Sequence, residues 1–128
     1  MVPGSLLGMT DYENLAGRYL QIWNDTNPTT RRAAIDALFT ADVTFVDPTA
    51  AVAGRAAIDS LIGAVQAQLP GYVLSLAGTV DGHHDQARFG WEGARPGGAA
   101  EVAGFDVVTL APDGRIDRVL GFLDLVPA

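Results

Sequence analysis

Residues 102–110 read VAGFDVVTL, from Val102 to Leu110, and the alternation along this run decides the fold class. In a strand, successive side chains point to opposite faces. Val102, Val108 and Leu110 therefore share one face, and Phe105 and Val107 share the other. An antiparallel strand with one face in water alternates apolar with polar residues. Here both faces are apolar, so both are expected to be covered. Helices of the same chain can cover one of them. A second copy of the chain is the natural cover for the other, which predicts a homodimer through the outer sheet face. Asp106 interrupts the first face, and a carboxylate there is costly unless it is paired, neutral or turned into a cavity.

Working outward, VAGFDVVTL belongs to one of four β-rich runs, 72–80, 86–94, 101–111 and 115–125. DGHHD, RPGGA and PDG separate them as turns. The half before residue 72 is helical in pattern. Thr10 and Glu13 have capping-box spacing, and Tyr12, Leu15, Tyr19 and Ile22 follow at helical intervals, widened by Ala16 and Trp23. NDTNP ends that helix, and Pro28 suits the first turn of a second, which buries Ile35, Leu38 and Phe39. A short strand, Val43 to Val46, leads to Asp47. A third helix after Gly54 carries Ile58, Leu61, Ile62, Val65 and Leu69 and stops at Pro70-Gly71. Three helices followed by a meander predict an α+β domain, with the helices packed on one face of an antiparallel sheet.

Composition narrows the function. The 128 residues suit one domain, residues 9–128, with residues 1–8 expected to be a flexible N-terminal extension or an expression scar. There is no cysteine, so thiolate nucleophiles and thiolate metal sites are excluded, which fits a reducing cytoplasm. All eight basic residues are arginine, so no lysine can form a Schiff base. The net charge of −7 comes without a basic patch, and nucleic acid is not an expected partner. No apolar run approaches the roughly 20 residues of a membrane span. The first residues lack the basic and apolar regions of a secretion signal, and a cytoplasmic protein is expected.

Serines 5, 60 and 75 lie on no nucleophile elbow, and no glycine-rich phosphate loop follows a strand. His83, His84 and Asp85 read as a solvated turn rather than a metal site. No metal and no cofactor is expected.

Three residues remain: Tyr19 on the first helix, Asp47 after the first strand, and Asp106. Each has two readings. Asp47-Pro48 in FVDPTAAV is either a turn opener or a base at the mouth of a pocket. Tyr19 is either a core tyrosine or a hydrogen-bond donor to a ligand. Asp106 either pairs with Arg88 or Arg118 from neighbouring strands or sits neutral in an apolar site.

The succession GRYL (17–20), ALFTADVTFVDP (37–48), GRAAI (54–58), VAGFD (102–106) and DGRI (113–116) resembles the cone-shaped superfamily of nuclear transport factor 2. That superfamily includes ketosteroid isomerases and SnoaL-like polyketide cyclases. The resemblance runs over nearly the whole chain from Met9. It implies a cone in which three helices pack on the concave face of a curved sheet around an apolar pocket.

The motif is most similar to ketosteroid isomerase: Arg18-Tyr19 on helix one, Asp47-Pro48 after the first strand, and Asp106 within an apolar strand. By that resemblance Asp47 is the general base, and Tyr19 and a protonated Asp106 are oxyanion donors. In the cyclases the position of Asp106 is the acid/base residue instead. The implied pocket lining is Trp23, Phe39, Phe45, Trp91, Val102, Gly104, Val108, Leu120 and Phe122. The implied partner is a small hydrophobic molecule bearing a carbonyl, and the implied chemistry is a cofactor-free double-bond shift or aldol closure. A non-catalytic binding or dimerisation domain of the same fold is the alternative. Limonene epoxide hydrolases carry an arginine where this chain has Gly104, which removes the residue central to their chemistry. The paired histidines of scytalone dehydratases find only His83-His84, in a turn.

Overall fold

A computed structural model describes residues 3–127, with side chains from Asp11 onward. Its elements run α1 (Pro3–Asn24), α2 (Pro28–Leu38), β1 (Phe39–Asp47), β2 (Ala50–Ala53), α3 (Arg55–Gln68), β3 (Val73–His83), β4 (Gln86–Ala94), β5 (Val102–Leu110) and β6 (Ile116–Leu125). Six strands form one sheet in the order β2-β1-β6-β5-β4-β3. The three helices pack on one face of this curved, open sheet, as expected of an α+β cone. None of the described helices is long and apolar enough to cross a membrane.

The sheet is mixed rather than wholly antiparallel. The last strand, β6, returns to lie parallel to β1, pairing Phe45 with Val119 and Val46 with Leu120. No sequence pattern local to either strand announces this pairing, because a parallel partner can lie anywhere along the chain.

β1 is longer than the expected Val43–Val46. It starts at Phe39, where α2 stops, and continues to Asp47. Ala50–Ala53 then folds back on it as β2, pairing Asp47 with Ala50 and Thr44 with Ala53. Alanine has little strand preference, so this hairpin carried no signal beyond its turn. α1 begins at Pro3, so Thr10 and Glu13 fall inside the helix instead of capping it. The expected extension therefore overlaps helical residues from Pro3, while residues 1 and 2 lie outside those described.

Side chains close the helix ends. Asn27 caps α2, its Oδ1 accepting the backbone N–H of Thr29 at 2.9 Å and of Thr30 at 3.3 Å, with Pro28 preset for the first turn. At the end of α1, Asn24 acts as a substitute strand partner for the edge strand β3. Its Nδ2 donates to the Leu74 carbonyl and its Oδ1 accepts the Leu74 N–H, both at 2.8 Å. Further along, the Tyr12 ring rests on Gly82, and its hydroxyl donates to the His84 carbonyl at 2.8 Å.

The core lies between helices and sheet, with Ala16, Ile35, Ile62, Val108 and Val119 fully enclosed. One polar residue is buried where the helices meet. Arg31 of α2, 8% exposed, donates through Nε to Asp59 of α3 at 2.7 Å and through Nη1 to Gln66 at 2.8 Å. Gln66 in turn donates to the carbonyls of Trp23 and Asp25, both at 2.9 Å. This network joins both later helices to the end of α1, next to Trp23.

Candidate active site

β6 separates the two carboxylates and also brings them together. Asp106 on β5 stands opposite Gly121 on β6, and Asp47 ends β1 one residue beyond the Val46–Leu120 pair. Gly121 contributes no side chain between them. A Cβ built there would lie 2.9 Å from Asp106 Oδ1 and 3.2 Å from Asp47 Cβ. α1 crosses above and places Tyr19, fully buried, edge-on to Phe39 and Phe89 and tilted against Trp23.

These three residues line one cavity of ≈ 420 Å³. Aromatic rings supply much of its wall: Trp23 from α1, Phe45 from β1 and Trp91 from β4, while Phe122 of β6 borders it but pairs with Phe105 and is 56% exposed. Trp91 is seated by Gly104, its cross-strand neighbour, since a Cβ on Gly104 would lie 2.6 Å from Trp91 Cε2. α3 adds Leu61 and Val65, β3 adds Leu74, and Thr49 and Gln68 are the polar residues besides the trio. No arginine and no histidine is among the lining residues.

Asp106 is 5% exposed, and among the described residues its carboxyl forms no salt bridge. Arg88 stands opposite Val107 and pairs with Asp81, while Arg118 stands opposite Thr109. Strand alternation thus puts both arginines on the outer face, away from Asp106, so the expected ion-pair alternative is not formed. Burial pushes the Asp106 carboxyl up to about 7; the neighbouring Trp91 and Tyr19 side chains oppose the rise, and the charge of Asp47 adds to it. Burial, followed by the neighbouring charge of Asp106, likewise holds the Tyr19 hydroxyl well above the ordinary tyrosine range. Tyr19 is a neutral donor throughout the physiological range.

Asp47 both makes the turn and lines the cavity. Its Oδ1 accepts from the Thr49 N–H and hydroxyl, each at 2.8 Å, and from the Ala50 N–H at 2.9 Å, which makes the β1–β2 turn. The same side chain lines the cavity, and the turn leaves Oδ2 free of its donors.

Of the expected lining residues, Trp23, Phe45, Trp91, Val102 and Phe122 border the cavity. Phe39 and Val108 do not, being enclosed in the core. Gly104 lies beneath the Trp91 ring, and Leu120 pairs with Val107 on the outer face. His83 and His84 sit in the β3–β4 turn with their Nδ1 atoms 3.0 Å apart, away from the cavity. Among the described residues no group of three metal-ligating side chains gathers anywhere. Gly121, Thr49 and Gln68 were missed. Gly121 alone left a trace, as a glycine inside a strand whose backbone needs no positive φ.

Residues 16–119 match the model of the SnoaL-like domain. The chain belongs to the SnoaL-like family. Among solved structures it is similar to a protein titled "putative isomerase of the SnoaL-like family" from Agrobacterium tumefaciens. The two share 39% identity over 91% of this chain and 99% of that one, with a TM-score of 0.87. A "putative SnoaL-like polyketide cyclase" from Jannaschia sp. shares the fold at 16% identity, covering 91% of this chain and 87% of that one, TM-score 0.73. An NTF2-like protein of unknown function from Cytophaga hutchinsonii does so at 12% identity, covering 88% and 89%, TM-score 0.65. A search of the curated proteins finds no match. The SnoaL-like chain thus has the fold of its family, with Tyr19, Asp47 and Asp106 lining one cavity.

Proposed function

We propose that this SnoaL-like protein catalyses cofactor-free acid/base chemistry on a neutral, hydrophobic carbonyl compound. The observation that carries the reading is Asp106: a buried carboxyl without a cation, facing Tyr19 and Asp47 in an apolar cavity. Proton removal next to a ketone needs a base at the carbon and donors at the oxygen as it becomes an enolate. Asp47 Oδ2 takes the α-proton, and the Tyr19 hydroxyl and protonated Asp106 donate to the oxygen. Returning the proton to another carbon shifts a double bond. Attack of the enolate on an internal carbonyl closes a ring. The similarity to a protein titled as an isomerase favours the first outcome. A lining without cations disfavours carboxylate or phosphate ligands, because their charge would go unpaired beside two acids.

Proton exchange tests the shared step of both outcomes. A panel of neutral ketones, from a bicyclic enone to a Δ5-3-ketosteroid, is incubated with protein in D2O and followed by NMR. Exchange at the α-carbon above the buffer rate is expected for at least one member. Asp47→Asn keeps the Oδ1 acceptor of the turn and should lower that rate by at least ~100-fold, the typical worth of a positioned base. A second reading is favoured by the engagement of Asp47 Oδ1 in three turn contacts: the pocket binds such a ligand without reacting. Saturable binding with no exchange for any ketone would establish it.

We also propose that the outer sheet face is covered by a second copy. Phe105 and Val107 on β5 adjoin Phe122 and Leu120 on β6, and Phe122 is left 56% exposed. Phe105→Glu should convert a dimer to a monomer in sedimentation at micromolar concentration. A monomeric parent protein would remove the proposal.

A further inference from the structure

Gly121 occupies the centre of a six-stranded sheet, where glycine weakens a strand and is uncommon. Its backbone does not call for it, since its φ is not among the positive values found at Gly54, Gly71, Gly78, Gly97 and Gly114. Space calls for it. A methyl group at this position would stand 2.9 Å from Asp106 Oδ1, closer than a carbon and an oxygen pack, and 3.2 Å from Asp47 Cβ.

We propose that Gly121 is a positioning residue of the acid pair: the side chain it lacks is the seat of the Asp106 carboxyl, and that seat aims Asp106 toward Asp47 across β6. The proposal rests on the acid/base reading for its purpose, although not for its geometry. Asp106 reaches inward from β5 and Asp47 from β1, with β6 between them. Any side chain on β6 at their level would fill the gap and turn the Asp106 carboxyl out into the cavity. The titratable groups facing that carboxyl are Asp47 from β1 and Tyr19 from α1; Trp91 from β4 faces it without titrating, and no arginine lines the cavity. Displacement into the cavity would hydrate Asp106 and take it farther from Asp47. Both changes ease its ionisation.

The test reads Asp106 directly. In protein labelled with 13C at aspartate side-chain carboxyls, the signal lost in Asp106→Asn identifies the residue, and its titration is compared between parent and Gly121→Ala. The Gly121→Ala midpoint is expected to fall by a pH unit or more, toward the ordinary carboxylate range. A midpoint that stays or rises overturns the proposal. Melting supplies a second reading, which holds even if Gly121→Ala folds poorly. Gly121→Ala should lower the melting temperature in the parent and do so by less than half as much in an Asp106→Ala background, where the carboxyl is gone. An equal loss in both backgrounds overturns the proposal, since the glycine would then serve only its other neighbours. Failure of every ketone to exchange in the parent protein would count against the acid/base reading, and would leave the titration and the melting comparison as the measure of Gly121.

Discussion

The melting temperature of the parent protein is expected to fall as pH rises from about 4 to about 7, with a fall that Asp106→Asn lacks. The sign follows from proton counting. In the unfolded chain Asp106 ionises near its model value of 3.8, while in the folded protein burial holds its proton until about 7. Between those values the folded state binds one more proton than the unfolded state, so raising pH favours unfolding. The stability tied to this proton is complete below the unfolded value and gone once pH has passed the folded one. At 1.36 kcal/mol per unit, the whole span is on the order of 4 kcal/mol, or on the order of 10 °C in a domain of this size. Asp25 and Asp113 act in the other direction. Side-chain and backbone hydrogen bonds lower both, so their contributions are lost as pH falls. Comparing parent with Asp106→Asn cancels them. The variant should be the more stable protein at pH 8 and lose that advantage near pH 4, and parallel melting profiles would show that Asp106 carries no such burden. A group that costs stability at neutral pH and pairs with no cation suits a functional role better than a structural one.

Arg31→Met is expected to lower stability by about 3 kcal/mol, at the lower end of the range for breaking a buried ion pair. Arg31 holds Asp59, Gln66 and the Asp25 carbonyl together in a place that little water reaches. Its removal strands the Asp59 carboxylate, whose side chain is only 23% exposed. The neighbouring Arg32 is the control. It pairs with Asp36 at 3.0 Å with both side chains about half exposed, and Arg32→Met should cost less than ~0.5 kcal/mol. Urea titration of the three proteins separates the cases. Arg31→Met combined with Asp59→Leu should recover part of the loss, because no unpaired charge is left behind. Equal midpoints for Arg31→Met and Arg32→Met would deny the network its role. Since Gln66 also holds the Trp23 carbonyl, loosening Arg31 should weaken ligand binding as well as the fold.

How much of this could be read beforehand depended on whether the signal lay in a residue or between residues. Helical spacing of Tyr12, Leu15, Tyr19 and Ile22 is local, and so is the alternation of VAGFDVVTL, so helices and the β5 faces were legible. The parallel pairing of β1 with β6 is a relation between segments some 70 residues apart, and nothing in either segment encodes it. The site divides in the same way. Tyr19, Asp47 and Asp106 stood out as polar groups in apolar runs. Gly121 matters for what it lacks, and the lack has meaning only beside its two neighbours. The choice between a paired and an unpaired Asp106 was closer to hand than it looked. Once β4 and β6 flank β5 in register, Arg88 and Arg118 fall opposite Val107 and Thr109, and parity alone sends them to the other face.

The central place of β6 has a consequence for the order in which the molecule comes into being. β6 follows the other five strands of the sheet in chain order, and it must be inserted between β1 and β5 before the sheet is whole. Until then the emerging chain holds the β1–β2 hairpin on one side and the β3–β5 meander on the other, each with an open edge. Pairing across so long a stretch of chain is slow compared with local contacts, and unpaired edges invite aggregation while it is awaited. Asp47 and Asp106 belong to different halves of that incomplete sheet, so a nascent chain has both acids and no site. Pulse labelling of backbone amides during refolding should find the β1 amides that face β6 protected no earlier than β6, with the β3–β4 hairpin ahead of both.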